Sequence, residues 1–338
     1  MERKYYDWEI RNCYDVTDNR PERDNYTTIS ICSKKPWEEK ADFLENLYGK
    51  LADRFIQYSG YTPRVVTMDR NDRFREYAYD KAKLHRSFTK LKANQLVLLA
   101  VEFIRVFKVY KGGIQEYGNM NNFVAIGQDI YFDVNLYLAE DIDLRENARQ
   151  EHVFRISVSN RLMPGFMSQE EWVALLKEAC CELECSQGML EQANETFASS
   201  EFPMEWYQMP SLEVIRYHDT KLRGYFWGNV LSEKHIERLG GIEKIQEEAP
   251  CYLVEEIQSG DRQLVYLQAT ERLGEFTEEK RMELKKYLEP LLYRECVTAI
   301  PQWRRNSSYQ DMAMAFDEEQ KEEWEQCKNC LLYTSRCV

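Results

Sequence analysis

The stretch Ile130-Tyr-Phe-Asp-Val-Asn-Leu-Tyr-Leu138 decides the fold class. Ile130, Phe132, Val134, Leu136 and Leu138 alternate strictly with Tyr131, Asp133, Asn135 and Tyr137. Successive side chains of a strand point to opposite faces, so one face here is apolar and the other polar. The pattern predicts a half-buried strand in an antiparallel sheet with one wet face. Phe154, Ile156 and Val158 repeat it in the next strand.

Upstream, Tyr26 to Cys32 also alternates, with Thr27, Ile29 and Ile31 on one side. Pro36 suits the first turn of a helix. Phe43, Leu44, Leu47, Leu51 and Phe55 then recur at helical spacing, until Gly60 and Pro63. Arg64 to Thr67 reads as a strand. Phe74, Tyr77, Leu84, Phe88 and Leu91 predict a second helix. Leu96 to Tyr110 is compatible with strand or helix, and Gly112-Gly113 marks a hairpin turn.

Downstream, Ser168-Gln-Glu-Glu171 is a capping box opening a helix with Trp172, Leu175, Leu176 and Leu183. Ser232 caps a short helix holding Ile236 and Leu239, ended by Gly240-Gly241. Leu253–Ile257 and Leu264–Gln268 flank the hairpin signal Ser259-Gly260-Asp261. Thr277-Glu278-Glu279 opens a last helix through Leu284, Leu288 and Leu291. The mixture predicts an α+β protein of antiparallel sheets packed with helices, compatible with two similar halves. The division is 1–24 as an N-terminal segment, 25–146 and 150–301 as the halves, and 302–329 as an acidic helical tail.

The chain has 338 residues, 43% hydrophobic, which is enough for a sizeable core. It carries 58 acidic against 45 basic residues, a net charge of -13. Such a surface is poorly suited to nucleic-acid phosphates and well suited to a basic partner such as a nuclease. The plainer reading is acidity that keeps a protein dissolved. The start has no apolar core of a signal peptide, and the longest apolar run, Leu96 to Ile104, is interrupted by Glu102. The expectation is a cytoplasmic protein with no membrane segment. Ten irregularly spaced cysteines read as reduced thiols. Cys180, Cys181 and Cys185 share one helix, but no His or second Cys pair has ligand spacing beside them, so no metal or cofactor is expected.

Signatures of phosphate loops, dinucleotide sites, nucleophile elbows and zincin helices are absent from the sequence. Of His85, His152, His218 and His235, only His218-Asp219 resembles a base with its orienting acid. A surface His beside an acid is commoner, and His235 between Glu233 and Glu237 reads as a solvated face. Adjacent acids such as Glu255-Glu256 do not face each other. At a strand end beside a hairpin, that pair suits either a basic partner or a guard against edge pairing. Aromatic residues make up 13%, densest at Trp206-Tyr207, Tyr217 and Tyr225-Phe226-Trp227. Packing is the plainer role for each of them, and interface anchoring the sharper one.

Leu222-Arg-Gly-Tyr-Phe-Trp-Gly-Asn-Val-Leu231, followed by Ile236-Glu-Arg-Leu-Gly-Gly241, resembles the type VI immunity family and the related immunity proteins of polymorphic toxin systems. The similarity spans about residues 153–292. It includes Phe154-Arg-Ile-Ser-Val158, the Trp172 helix, and a strand ending in Leu267-Gln-Ala-Thr270. The family usually has Asn or Leu near this chain's Gly228-Asn229. The resemblance implies an immunity protein that binds a cognate toxin, often a nuclease, and neutralises it without catalysis. It gives Gly224, Trp227, Leu239, Gly240 and Gly241 scaffold roles. Asp219, Tyr225, Glu255 and Glu256 are the expected toxin contacts. Two other classes stay open: a hydrolase using His218-Asp219, and an adaptor of a phage or secretion system. Oligomeric state is open.

Cys330-Leu-Leu-Tyr-Thr-Ser-Arg-Cys-Val338 resembles the translation of a transposase sequencing adaptor joined to its reverse complement. The expectation is that the natural chain continues beyond Asn329. The zinc-like pair Cys327-Lys-Asn-Cys330 then loses its second ligand.

Overall fold

A computed structural model describes residues 8–13, 25–71, 73–111, 123–138, 152–159, 165–194, 220–222 and 224–292. The strands are β1 (Trp8–Cys13), β2 (Asn25–Ser33), β3 (Arg64–Asp69), β4 (Phe74–Ala78), β5 (Leu96–Lys111) and β6 (Phe123–Tyr137). They continue with β7 (His152–Ser159), β8 (Gln187–Asn194), β9 (Gly228–Leu231), β10 (Leu253–Ser259) and β11 (Arg262–Gln268). The helices are α1 (Ala41–Ser59), α2 (Lys81–Lys92), α3 (Gln169–Glu182), α4 (Glu233–Arg238), α5 (Ile242–Glu248) and α6 (Glu278–Leu288).

The α+β class stands. All eleven strands join one sheet in the order β10-β11-β9-β8-β2-β7-β6-β5-β3-β4, with β1 pairing β5. Every pair is antiparallel except β1 with β5. The N-terminal strand β2 sits between β7 and β8 of the C-terminal half. One hydrogen-bonded sheet thus draws strands from both expected halves.

Register assigns the faces. Val65, Val101, Val134, Ile156, Ile29 and Leu190 are successive cross-strand partners, and all are buried. The helices α1, α2 and α3 cover this face. Phe55 of α1 stacks on Phe132 at 4.5 Å, and Tyr77 of β4 bonds Ser87 of α2. A Cβ added to Gly188 of β8 would lie 2.3 Å from Cys180 Sγ of α3, so glycine permits that helix to sit close. Ser168 caps α3 with both bonds of the expected box: Glu171 N donates to Ser168 Oγ at 3.2 Å, and Ser168 N to Glu171 Oε2 at 2.7 Å.

The opposite face carries a polar row in register: Arg64, Glu102, Asp133, Ser157, Thr28 and Glu191. Arg64 bonds both Glu76 and Glu102, and the Thr28 and Ser157 hydroxyls meet at 2.7 Å. This corrects the expected wet face. Asp133 is 2% exposed and Asn135 6%, and Asn135 Nδ2 donates to the Asp133 carboxylate. Alternation reports which residues share a face; it does not report whether that face meets water.

Three other expectations change. Phe74 and Tyr77 lie in β4, paired with Met68 and Val65 of β3, and α2 begins only after Asp80, whose side chain accepts from Lys83 N. Periodicity ran on across a strand and a helix because both place an apolar residue at compatible positions. Pro36 precedes α1 by five residues and does not stand in its first turn. Leu96–Lys111 resolves as strand, and Gly112-Gly113 lies outside the described residues.

Candidate functional site

The family-like stretch forms the C-terminal end of the sheet. Tyr225, Phe226 and Trp227 are 3%, 0% and 0% exposed. The indole N–H of Trp227 donates to Thr270 Oγ1 at 2.9 Å, which supplies the partner a buried tryptophan needs. Asn229 ties the turn: Phe226 N donates to Asn229 Oδ1 at 3.2 Å, and Asn229 Nδ2 to Phe226 O at 2.7 Å. Gly240 and Gly241 have φ of 92° and 99°, a region that favours glycine, and Leu239 is buried before them. Gly224 is buried as well. His235 is fully buried and accepts from Ser232 N at 3.3 Å, which closes the helix start and replaces the expected solvated face.

The expected contact residues separate. Tyr225 is buried, with the Lys285 ammonium 5.5 Å from its ring centroid, so it presents little surface to a partner. Glu255 and Glu256 stand side by side on β10, the last strand of the sheet path. Glu255 accepts from Lys177 Nζ at 2.7 Å, and that ammonium also lies 4.5 Å from the Tyr266 ring centroid. Glu256 points to the other face, is exposed, and accepts from Gln263 Nε2 at 2.6 Å. His218, Asp219, Trp206, Tyr207 and Tyr217 lie outside the described residues, as do 302–329 and Cys330–Val338.

Around β10 the surface is acidic. Glu233 and Glu237 of α4 and Glu243, Glu247 and Glu248 of α5 are exposed. Residues 224–292 hold 14 acidic against 9 basic side chains. Tyr252 and Leu253, at the start of β10, are 60% and 36% exposed, large values for apolar side chains. The hairpin tip has φ of 60° at Gly260, as a two-residue turn with glycine first requires.

Beneath this end lies a buried ion pair that the sequence did not disclose. Arg281 of α6 donates to Glu191 Oε1 of β8 at 3.3 Å, with side chains 7% and 2% exposed. Burial pushes the Glu191 carboxyl up to about 7, against the opposing pull of Arg281. Cys180 and Cys185 meet under α3 because the helix ends in a Schellman turn. Cys185 N donates to Cys180 O at 3.0 Å, and Glu184 N to Cys181 O at 3.2 Å, with Glu184 at φ 49°. Burial pushes the Cys180 thiol well up, so it is a poor nucleophile. Cys32, Cys180, Cys181, Cys185 and Cys251 are free thiols. Among the described residues no group of three His, Cys, Asp or Glu is placed to hold a metal ion.

A cleft of about 880 Å³ runs between α1 and the start of α3. Phe43, Leu47, Tyr58, Phe166 and Leu175 line it with Arg54. Arg54 makes a two-pronged bond to Glu171, at 2.7 and 2.9 Å, and its guanidinium stands 5.4 Å from the Phe166 ring centroid. The Arg54 guanidinium holds the Glu171 carboxyl below its usual range. Among the described residues that line this cleft there is no Ser, Thr, Cys or His. No described helix is long and apolar enough to cross a membrane.

No family model matches the chain, and no curated protein matches it. Among solved structures, the chain is similar to the Pseudomonas aeruginosa T6SS protein PA0821, with a TM-score of 0.49 and 12% identity. The superposition covers 91% of this chain and 85% of that one.

Proposed function

We propose that the chain is an immunity protein that binds and neutralises a cognate bacterial toxin, without catalysis. The observation that carries the reading is the stretch from Leu222 to Thr270. Its resemblance to the type VI immunity signature falls on residues with scaffold roles: Trp227 bonded to Thr270, and Gly240 and Gly241 at positive φ. A scaffold signature leaves the contact surface free to vary with the partner, as recognition of different toxins demands.

The exposed carboxylates of α4, α5 and β10 favour a basic partner, and a nuclease cleft is one such surface. Opposed potentials raise the rate of encounter and suppress wrong partners. Of the expected contacts among the described residues, Glu256 is the most exposed, because Tyr225 is buried and Glu255 is half-buried and engaged by Lys177. Covering or locking a toxin's active site requires no proton transfer and no bound cofactor.

Co-expression with the product of the adjacent gene tests the proposal. The expected result is restored growth and a stoichiometric complex on co-purification. Rescue that proceeds with less than one equivalent of this chain per toxin would point to turnover and overturn the binding reading.

A further inference from the structure

Among the described residues, β4 and β10 are the two ends of the sheet path, and neither has a second strand beside it. Residues 25–111 carry 17 Lys and Arg against 10 Asp and Glu, the reverse of the 9 against 14 in residues 224–292. On β4 and just before it, Arg73 and Arg75 are exposed, and Phe74 between them is 58% exposed. On β10, Glu256 and Gln258 are exposed, with Tyr252 and Leu253 at its start. Among the described residues, each edge thus combines strand backbone with no neighbour, an exposed apolar residue and exposed charge of one sign, since Glu76 of β4 is engaged by Arg64 and Glu255 of β10 by Lys177. An open edge is a template for another strand. Like charges directly opposite disfavour pairing of β4 with β4 or of β10 with β10, whereas opposite charges favour β4 with β10.

We infer that β4 of one molecule pairs with β10 of a second copy, extending the sheet from molecule to molecule. The shorter strand, β4, sets a ladder of five residues. Antiparallel pairing of Phe74–Ala78 with Leu253–Ile257 sets Arg75 opposite Glu256 and Phe74 opposite Ile257; Glu76 and Glu255, which also fall opposite, are engaged by Arg64 and Lys177. The contact is head-to-tail, so each copy keeps one free edge of each sign, and the assembly grows as a chain or closes as a ring. The net charge of -13 opposes association at long range, but salt screens it beyond about 8 Å under physiological conditions. The inference does not rest on the toxin-binding reading, but both use Glu256, so the Arg73→Glu/Arg75→Glu variant, which leaves β10 unchanged, separates them: it loses self-association and keeps toxin binding.

Sedimentation velocity of the full chain tests it, over a hundredfold concentration range up to about 200 µM, in about 0.05 M and about 0.5 M salt. The expected result is a sedimentation coefficient that rises with concentration, less so at high salt. Arg73→Glu/Arg75→Glu blocks one edge, and Glu256→Lys/Gln258→Lys the other. Each variant weakens self-association by at least about tenfold. An equimolar mixture of the two restores one compatible pair of edges and gives a heterodimer that grows no further. Hydrogen exchange of the wild type reads the contact without substitutions: amides of 74–78 and 253–259 gain protection together as concentration rises. A wild type that stays monomeric throughout overturns the inference. So does association that both variants leave intact, or association without added protection at those two edges.

Discussion

The basic end of the sheet, β3 to β5 with α1 and α2, differs from the acidic end, β8 to β11 with α3 to α6, in how it buries its polar residues. At the basic end Arg64 of β3 sits between Glu76 of β4 and Glu102 of β5, on neighbouring strands of the sheet. At the acidic end Glu191 is held by Arg281 of a helix packed on the second face. One end satisfies its charges within the sheet, and the other through a second helical layer. The stretch from Leu222 to Thr270 lies at the end where a second helical layer packs on the sheet. Trp227, Asn229 and the Gly240-Gly241 turn serve that stacking and leave the outer acids available.

The largest effects should test whether these ends fold as one unit. Trp227→Ala at the acidic end and Phe55→Ala at the basic end each remove a fully buried ring, at a cost of about 3–5 kcal/mol. Because β2 joins the halves through β7 and β8, each should lower a single melting transition, read by calorimetry. Two separated transitions would break the picture of one continuous sheet. Gly188→Ala comes next. The new methyl meets Cys180 Sγ at 2.3 Å, and the expected loss is about 1–3 kcal/mol in denaturant unfolding.

Titration should distinguish Glu191 at the acidic end from His152 on β7, in the middle of the sheet, by sign. Glu191, pushed up to about 7 by burial, binds more protons folded than unfolded. Its contribution is fully present below its ordinary value near 4.5 and is lost as pH rises through 7. His152 packs on Trp37 just before α1 at a centroid distance of 5.2 Å, and burial lowers it to about 4. Its contribution is present above 6.5 and is lost as pH falls toward 4. Glu191→Gln should therefore remove a fall in stability with rising pH, and His152→Phe a fall on acidification. Each limb has a slope approaching about 1.4 kcal/mol per pH unit, measurable by urea titration across pH 4–7.5. The smallest effect is Ser168→Ala, which removes one bond of the α3 cap and costs about 1 kcal/mol in the same assay.

The two ends also differ in how far sequence could read them. At the acidic end the capping box at Ser168, the hairpin at Gly260 and the turn at Gly240-Gly241 were all legible, because each depends on residues close in the chain. At the basic end β4 was misread as helix, since Phe74 and Tyr77 owe their state to β3, which lies across a turn. The burial of Asp133, the Glu191–Arg281 pair and the Cys180–Cys185 contact depend on packing or on partners in other elements. Of the expected contacts, the Glu255-Glu256 edge was legible as charge beside a hairpin. The burial of Tyr225 was not, because Tyr at an interface and Tyr in a core look alike in sequence. Arg73, Phe74 and Arg75 carried no signal until β4 proved to be a sheet edge.

The most direct test is a calorimetric titration of this chain into the purified product of the adjacent gene, the proposed toxin, followed by assay of that product's activity in the same samples. The account predicts a one-to-one complex whose formation extinguishes activity in proportion to occupancy, and which Glu256→Lys weakens. Loss of toxin activity without a stable complex, or at amounts far below one equivalent, would contradict it.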